Sequence, residues 1–360
     1  MVYAMFSIGI LGFLVWSQSF SMMVAPSYCE VGVINFAICW NSLVPISTFN
    51  RKNLISYTQS AGNLYTPGLK SSSETTRETS FNFTLFYKHY LDITSRKAPD
   101  IKWLIWFIGF SEGDGGILIN KGRAQFVLTQ KESAILYHIQ EVLGFGKVSN
   151  FNNFSRFIVN KQEDILLLFY LFNGNLVLWH RISQLSIWLQ VLKVKFDVKL
   201  TINNNLVLPT LFDAWLSGFT DAEGCFNVKI VKRTNTITGF SVYLSFLLDQ
   251  NFANYLLLHI RDLIGLGQVS LRPKTNAVYR YHVNSFEGLV SIKNYFLTFP
   301  LKTLKGKSFE KWNKVYSMVL NKEHLVHDGL IQIRVIAKTI NKENSLTNRT
   351  GSKLTKGNRE

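Results

Sequence analysis

Cysteine is nearly absent from this chain: Cys29, Cys39 and Cys225 are the three in 360 residues. Three thiols without a C-x-x-C pair exclude a disulfide framework and a structural zinc site, which makes a reducing compartment the default. Proline is rare, at seven residues, and acidic side chains fall well short of basic ones, 23 against 39. The net charge of +16 points to a polyanionic partner. Phosphate backbones come ahead of anionic lipid, because no repeated series of membrane-length apolar runs is present. Only 17% of the residues are charged and 47% are hydrophobic, which excludes wholesale disorder and leaves length for two domains. What is abundant instead is Phe, 28 residues, beside many Lys, Asn and Ile. AT-rich codons supply that bias, and an organellar or similarly biased genome is the expectation.

The charge is uneven. Residues 1–100 hold 7 Lys+Arg and 5 Asp+Glu, net +2, whereas residues 101–360 hold 32 and 18, net +14. The first 16 residues, MVYAMFSIGILGFLVW, carry no charged side chain yet fall short of the roughly 20 residues that span a bilayer. No basic residues precede them as a secretion signal would require. They resemble the segment of the largest cytochrome c oxidase subunit that ends before its copper-binding histidine pair, with Gln18 and Ser19 in place of the histidines. The resemblance implies an exon-derived segment, residues 1–17, read in frame into an intron's reading frame; an independent membrane anchor is the alternative. Residues 18–100, with clusters such as SAGNLYTPGLKSSSETTRETS, read as a largely irregular linker. Within it, FNFTLFYKHYLDIT (81–94) has the aromatics for a short element that docks on the chain beyond residue 100.

Beyond residue 100 the chain repeats itself. WLIWFIGFSEGDGGILI (103–119) matches AWLSGFTDAEGCFNVKI (214–230), Gly109 falling on Gly218 and Asp114 on Glu223. An alternating strand-like run follows each, RAQFVLTQK (123–131) and SVYLSFLLDQN (241–251). Then come amphipathic helical stretches ending in Gly-x-Gly, SAILYHIQEVLGFGKV (133–148) and NYLLLHIRDLIGLGQV (254–269). A second alternating run closes each pattern, SRFIVNK (155–161) and VYRYHVNS (278–285). Two similar α+β halves about a pseudo-twofold axis are implied: residues 101–195, a connector at 196–210, and residues 211–330. A basic tail, 331–360, holds seven Lys+Arg against two Glu.

The nonapeptides FIGFSEGDG (107–115) and LSGFTDAEG (216–224) resemble the LAGLIDADG homing endonucleases in their single-chain, double-motif form, over about residues 101–330. The resemblance implies two αββαββα halves forming a β-saddle over DNA, and Mg²⁺-dependent hydrolysis of both strands by a monomer without a small-molecule cofactor. The physical reading agrees. Small and apolar residues share one face of each motif, and Gly109, Ser217 and Gly218 let two such helices approach closely. Each helix stops at Gly113/Gly115 or Gly224 and leaves one carboxylate, Asp114 or Glu223, beside its partner. Two unpaired carboxylates invite a hard divalent ion. Phe107 and Ile108 are bulkier than the family's usual residues, which predicts a less close helix approach. Glu112 and Asp221, two positions earlier, are structural by the family pattern.

The resemblance further places a polar residue after each motif at Gln130 and Gln250, able to hold a hydrolytic water, with a strand-end hydrogen bond as the alternative. It puts a phosphate-facing lysine at Lys305, with Lys302 and Lys307 as alternatives. The corresponding stretch GNLVLWHRISQLSIW (174–188) has no lysine, although Arg181 is close. Hairpins entering the major groove would offer Lys121, Arg123 and Gln125 from the first half, and Lys229, Lys232, Arg233, Arg272, Lys274 and Arg280 from the second. GKS at 306–308 lacks the earlier glycine of a phosphate loop, Leu301 standing there. His138 and His259 recur at one repeat position as half-buried helix residues. The expected activity is intron homing, cutting the intronless gene at the exon junction. The alternative is an RNA maturase that helps its own group I intron to splice, which would need neither Asp114 nor Glu223.

Overall fold

The computed structural model describes residues 81–94, 96–196, 199–204 and 206–341. The expectations for residues 1–17, for most of the 18–100 stretch and for the end of the basic tail lie outside them.

Helix α1 (Thr84–Ile93) precedes the first repeat. Phe86 and Tyr90 on one of its faces are fully buried, and the Tyr90 hydroxyl donates to the Leu143 carbonyl at 3.2 Å. Just before it, the Asn82 backbone N–H donates to Asn175 Oδ1 at 2.8 Å while Asn175 Nδ2 returns a bond to the Asn82 carbonyl at 2.7 Å. The described part of the stretch read as irregular linker is therefore folded: its aromatic residues contribute to the core, because burying four of them offsets the entropy of ordering so short a segment.

Asp100 opens the first motif helix by accepting from the backbone N–H of Lys102 and Trp103, donors that a helix start leaves unpaired. Helix α2 (Ile101–Asp114) runs directly into β1 (Gly115–Asn120), which turns at Lys121 and Gly122 into β2 (Arg123–Gln130). Both turn residues have positive φ, 50° and 74°, the backbone that matches the twist of a two-residue hairpin. Helix α3 (Ser133–Leu143), β3 (Lys147–Asn150), β4 (Ser155–Val159), α4 (Gln162–Phe172) and α5 (Trp179–Phe196) complete the half. The second half repeats the order with α6 (Trp215–Glu223), β5 (Gly224–Lys232), β6 (Phe240–Asn251), α7 (Asn254–Ile264), β7 (Gln268–Leu271), β8 (Val278–Val283), α8 (Phe286–Thr298) and α9 (Lys305–Leu320). Each half thus closes with two helices where the repeat pattern predicted one. Helix α10 (His327–Ala337) buries Leu330 and Ile333, so the second half extends into the stretch read as a basic tail.

The two antiparallel sheets have matching orders, β1-β2-β4-β3 and β5-β6-β8-β7. Period-two burial decides their faces. Ala124, Phe126 and Leu128 of β2, with Phe157 and Val159 of β4, pack toward the helices; Leu244, Phe246 and Leu248 of β6, with Tyr281 and Val283 of β8, do the same. The opposite face of each sheet is left open. The registers correspond as well: Gly115 pairs with Leu128 and Gly224 with Leu248. Gln130 and Gln250 consequently stand at one position of the repeat, two residues beyond those pairs.

Candidate active site

The two motif helices meet backbone to backbone. A Cβ on Gly109 would collide with the Trp215 carbonyl, and one on Gly218 with the Trp106 carbonyl. The close approach is therefore kept despite Phe107 and Ile108, contrary to the expectation of looser packing. Phe107 turns into the first half's own core, stacked on Trp103 and Phe172.

Glu112 and Asp221 lock this seam. Glu112 is fully buried; its Oε1 accepts from the backbone N–H of Val177 and Leu178 at 2.8 and 2.7 Å, and its Oε2 from the Trp215 indole at 2.8 Å. Asp221 accepts from the Trp106 indole at 2.8 Å, the backbone N–H of Lys302 and Thr303, and the Thr303 hydroxyl. Each acid binds the connection before the last long helix of its own half and a tryptophan of the opposite motif helix. Burial raises both, the Glu112 carboxyl to about 7 against those hydrogen bonds. These residues are structural, as the motif implied. Sequence reasoning missed the tryptophans, although Trp106 and Trp215 occupy one repeat position, four residues before Phe110 and Phe219, on which they stack at 5.1 and 4.7 Å.

Asp114 and Glu223, the last residues of α2 and α6, come together beyond this seam and are only partly exposed. Burial pushes the Glu223 carboxyl up to about 8, with the Asp114 charge adding to it and Lys305 and Arg181 opposing. Asp114 is likewise raised by burial, with Lys305 and the Gln130 hydrogen bond opposing. Gln130 Nε2 donates to Asp114 Oδ2. Gln250 is buried at the equivalent place, yet among the described residues it makes no such bond to Glu223.

The Lys305 ammonium donates to the Thr220 and Ala222 carbonyls at 3.1 and 2.6 Å, which sets it against the end of α6. Lys302 instead lies over the Trp106 ring at 5.7 Å and Lys307 is exposed, so Lys305 is the lysine of the three that the site holds. In the first half Arg181 takes the corresponding place: Nε and Nη2 donate to the Glu112 carbonyl at 3.0 and 2.9 Å, and Nη2 to that of Gly113 at 3.2 Å. A cation near the end of a helix complements its dipole and its unpaired carbonyls, and Arg181 stands at the end of α2 as Lys305 does at the end of α6.

The candidate DNA-binding residues divide into two groups. Lys121, Arg123, Lys229, Lys232, Arg233 and Lys274 are exposed on strands and hairpin turns, while Gln125 is engaged by Asn160. Arg280 and Arg272 are ion-paired to Asp249. The structure brings Asp114, Glu223, Gln130 and Lys305 together and leaves the basic candidates on the sheets and their turns. Ser308 of the GKS run is buried and its hydroxyl accepts from the Asn341 backbone, so the run is a helix start and not a phosphate loop.

Comparison with known proteins agrees with this geometry. Residues 216–316 match the family described as LAGLIDADG endonuclease. The chain is 33% identical over 298 residues to a probable intron-encoded endonuclease 4 of Neurospora crassa, covering 81% of this chain and 51% of that protein. It therefore spans about half the length of that relative. A cox1 intron-2 protein of Schizosaccharomyces pombe is 29% identical over 285 residues, covering 76% of this chain and 82% of that one. Among solved structures, the LAGLIDADG meganuclease I-AabMI bound to uncleaved DNA is similar at TM-score 0.56 and 25% identity, over 66% of this chain and 99% of that one. The meganuclease I-SmaMI, at 19% identity and TM-score 0.57, shares the fold over 66% of this chain and 98% of its own.

Proposed function

We propose that this chain, which carries a LAGLIDADG-like motif twice and is similar to intron-encoded endonucleases, is a site-specific double-strand DNA endonuclease of intron homing. The observation that carries the reading is the meeting of Asp114 and Glu223 at the ends of two helices in backbone contact, one acid from each half. On either side stands a four-stranded sheet with an open face and Lys and Arg on its strands and turns. Two-stranded ribbons of this kind fit the major groove, where Lys and Arg meet phosphates and outward side chains meet base edges. Both halves lie in one chain, so a monomer suffices.

The acidic pair fits a divalent cation. Its donors are carboxylate oxygens alone; burial raises both groups and the Asp114 charge raises Glu223 further, a cost that a bound cation removes. Among the described residues no group of three His, Cys, Asp or Glu gathers to complete a site alone. Water and phosphate oxygens would supply the remaining ligands, a set that suits Mg²⁺. Asp114 and Glu223 are the residues that would hold it, and the ion would activate water and stabilise the leaving oxygen of an in-line displacement. Gln130 fixes the orientation of the Asp114 carboxylate. Lys305 and Arg181, held by helix-end carbonyls, supply positive charge for the phosphate in the transition state.

The cox1 intron relative supports the reading of residues 1–17 as exon and of the target as the intronless cox1 junction, with a mitochondrial location. An RNA maturase is not favoured: the Neurospora crassa relative is named an intron-encoded endonuclease, and the similar solved structure is a meganuclease bound to DNA. The test is to incubate the full chain with Mg²⁺ and a duplex spanning the intronless junction, beside the intron-interrupted duplex. The expected result is double-strand cutting of the former alone, abolished by Asp114→Asn or Glu223→Gln. No cutting of the intronless duplex, or equal cutting by Asp114→Asn, overturns the proposal.

A further inference from the structure

Resting on the endonuclease reading, we propose that Asp249 is a positioning residue that aims Arg280 at a guanine in the major groove, at the inner end of the half-site bound by the second half, next to the centre of the target.

The register of β6 and β8 places Asp249 directly opposite Arg280. Their neighbours Leu248, Gln250 and Tyr281 are buried on the helix side of the sheet, so the alternation puts Asp249 and Arg280 together on the open face. The contact is a fork: Nε donates to Oδ1 at 2.6 Å and Nη2 to Oδ2 at 2.7 Å. Arg272, from the end of β7, adds a bond to Oδ2 at 3.2 Å.

An acid on a face that meets phosphates opposes binding by its charge, and stability does not account for it. Both side chains of the Arg280 pair are partly exposed, 34% and 23%, and pairs in such settings contribute about 0–1 kcal/mol. What the fork does is hold the guanidinium plane. It occupies Nε and one hydrogen of Nη2, leaving the Nη1–Nη2 edge of Arg280, to which no bond is made among the described residues. Two parallel N–H donors in a fixed plane match O6 and N7 of guanine and no other base edge. The position is central, because Leu248, the residue before Asp249, pairs with Gly224, next to Glu223. The charge of Asp249 acts on Glu223 itself.

The first half lacks the device. Thr129 and Arg156 hold the equivalent register positions. There the guanidinium lies over the rings of Phe154 and Phe151 at 5.0 and 5.7 Å, and among the described residues no carboxylate pairs with it. The guanine preference is accordingly expected in one half-site and not in both.

The experiment is a binding selection from a randomised duplex library, using the full chain with Asp114→Asn so that bound duplexes stay uncut. The parent protein should enrich guanine at one position at the inner end of one half-site, next to the centre of the target. Arg280→Ala should lower that preference about 5- to 150-fold, the range of one bidentate base contact, and leave the other positions unchanged. Asp249→Ala should lower it at the same position, the double variant should match Arg280→Ala, and Arg280→Lys, which keeps the charge, should lose the preference too. A uniform loss across all sequences, as a phosphate contact would give, overturns the proposal; so do changes at different positions for the two residues, or an unchanged profile. A library in which the parent enriches nothing overturns it together with the endonuclease reading. A guanine preference lost as predicted, on an enriched duplex that the wild-type chain fails to cut with Mg²⁺, sinks the nuclease reading alone.

Discussion

The indole N–H of Trp215 donates at 2.8 Å to Oε2 of Glu112, so a side chain of the second motif helix satisfies a fully buried acid of the first. Removing a partner from a buried acceptor costs its desolvation, about 1–3 kcal/mol. Trp215→Phe keeps most of the ring and deletes the donor. The expected outcome is a loss of that size in unfolding free energy, read from the urea midpoint at unchanged slope. A midpoint equal to wild type would mean that the bond contributes nothing.

Gly218→Ala should be worse than a core substitution of one methyl usually is. The new Cβ meets the carbonyl of Trp106, which is backbone inside a helix and cannot rotate away. Overpacking of this kind costs about 1–3 kcal/mol, or more where nothing yields. If the helices separate to accept it, Asp114 and Glu223 move apart with them. Thermal melting together with DNA cutting should both fall, whereas an intact melting temperature and full activity would show the seam to be loose.

Stability of the metal-free protein should depend on the proton of Glu223. Its folded-state value of about 8 lies above the ordinary carboxyl value of 4.5, so the folded state holds that proton where the unfolded state has released it. The associated stability is fully present below about pH 4.5 and is lost as pH rises through about 8. Melting temperature without divalent metal should therefore fall from pH 5 to pH 8.5 more steeply in wild type than in Glu223→Gln. Added Mg²⁺ should flatten the wild-type slope. Parallel slopes for the two proteins would refute the assignment.

Lys305→Ala should lower cutting by about 10²- to 10³-fold, the usual effect of removing one preorganised donor to a developing charge, with duplex binding retained. Arg181→Ala should also lower the melting temperature, since its guanidinium satisfies the Glu112 and Gly113 carbonyls and the Gln184 side chain. Gel separation of the two labelled strands, beside a melting curve, reads both effects.

The halves, the succession of helices and strands along each and the acidic pair were legible because the motif appears twice: a spacing of 109 residues set Asp114 against Glu223, and the period-two runs marked the strands, whereas the strand order within each sheet was not read. The tight seam was predicted from Gly109 and Gly218, yet Phe107 and Ile108 argued against it, since one sequence cannot reveal which way a bulky residue turns. Lys305 was chosen over Lys302 and Lys307 only by resemblance; the fold selects it by offering the Thr220 and Ala222 carbonyls at the end of α6. The second closing helix of each half and α10 went unread, their apolar spacing being broken by polar and charged residues such as Gln184 and Gln190 in α5, Asn313 and Lys314 in α9, and Gln332 and Arg334 in α10. The ties between halves were invisible, because Glu132 accepting from the Leu304 backbone, or Tyr255 donating to the Val177 carbonyl, joins residues with no sequence relation.

Helix α1 sets a boundary for any trimming of this protein. Tyr90 reaches the Leu143 carbonyl, Asn82 exchanges two bonds with Asn175, and Phe86 fills a place with no solvent exposure. A protease, or an experimenter, that cuts at residue 95 removes part of the interior of the first half along with the chain ahead of the repeats. The shortest fragment that keeps this interior whole begins before Phe81.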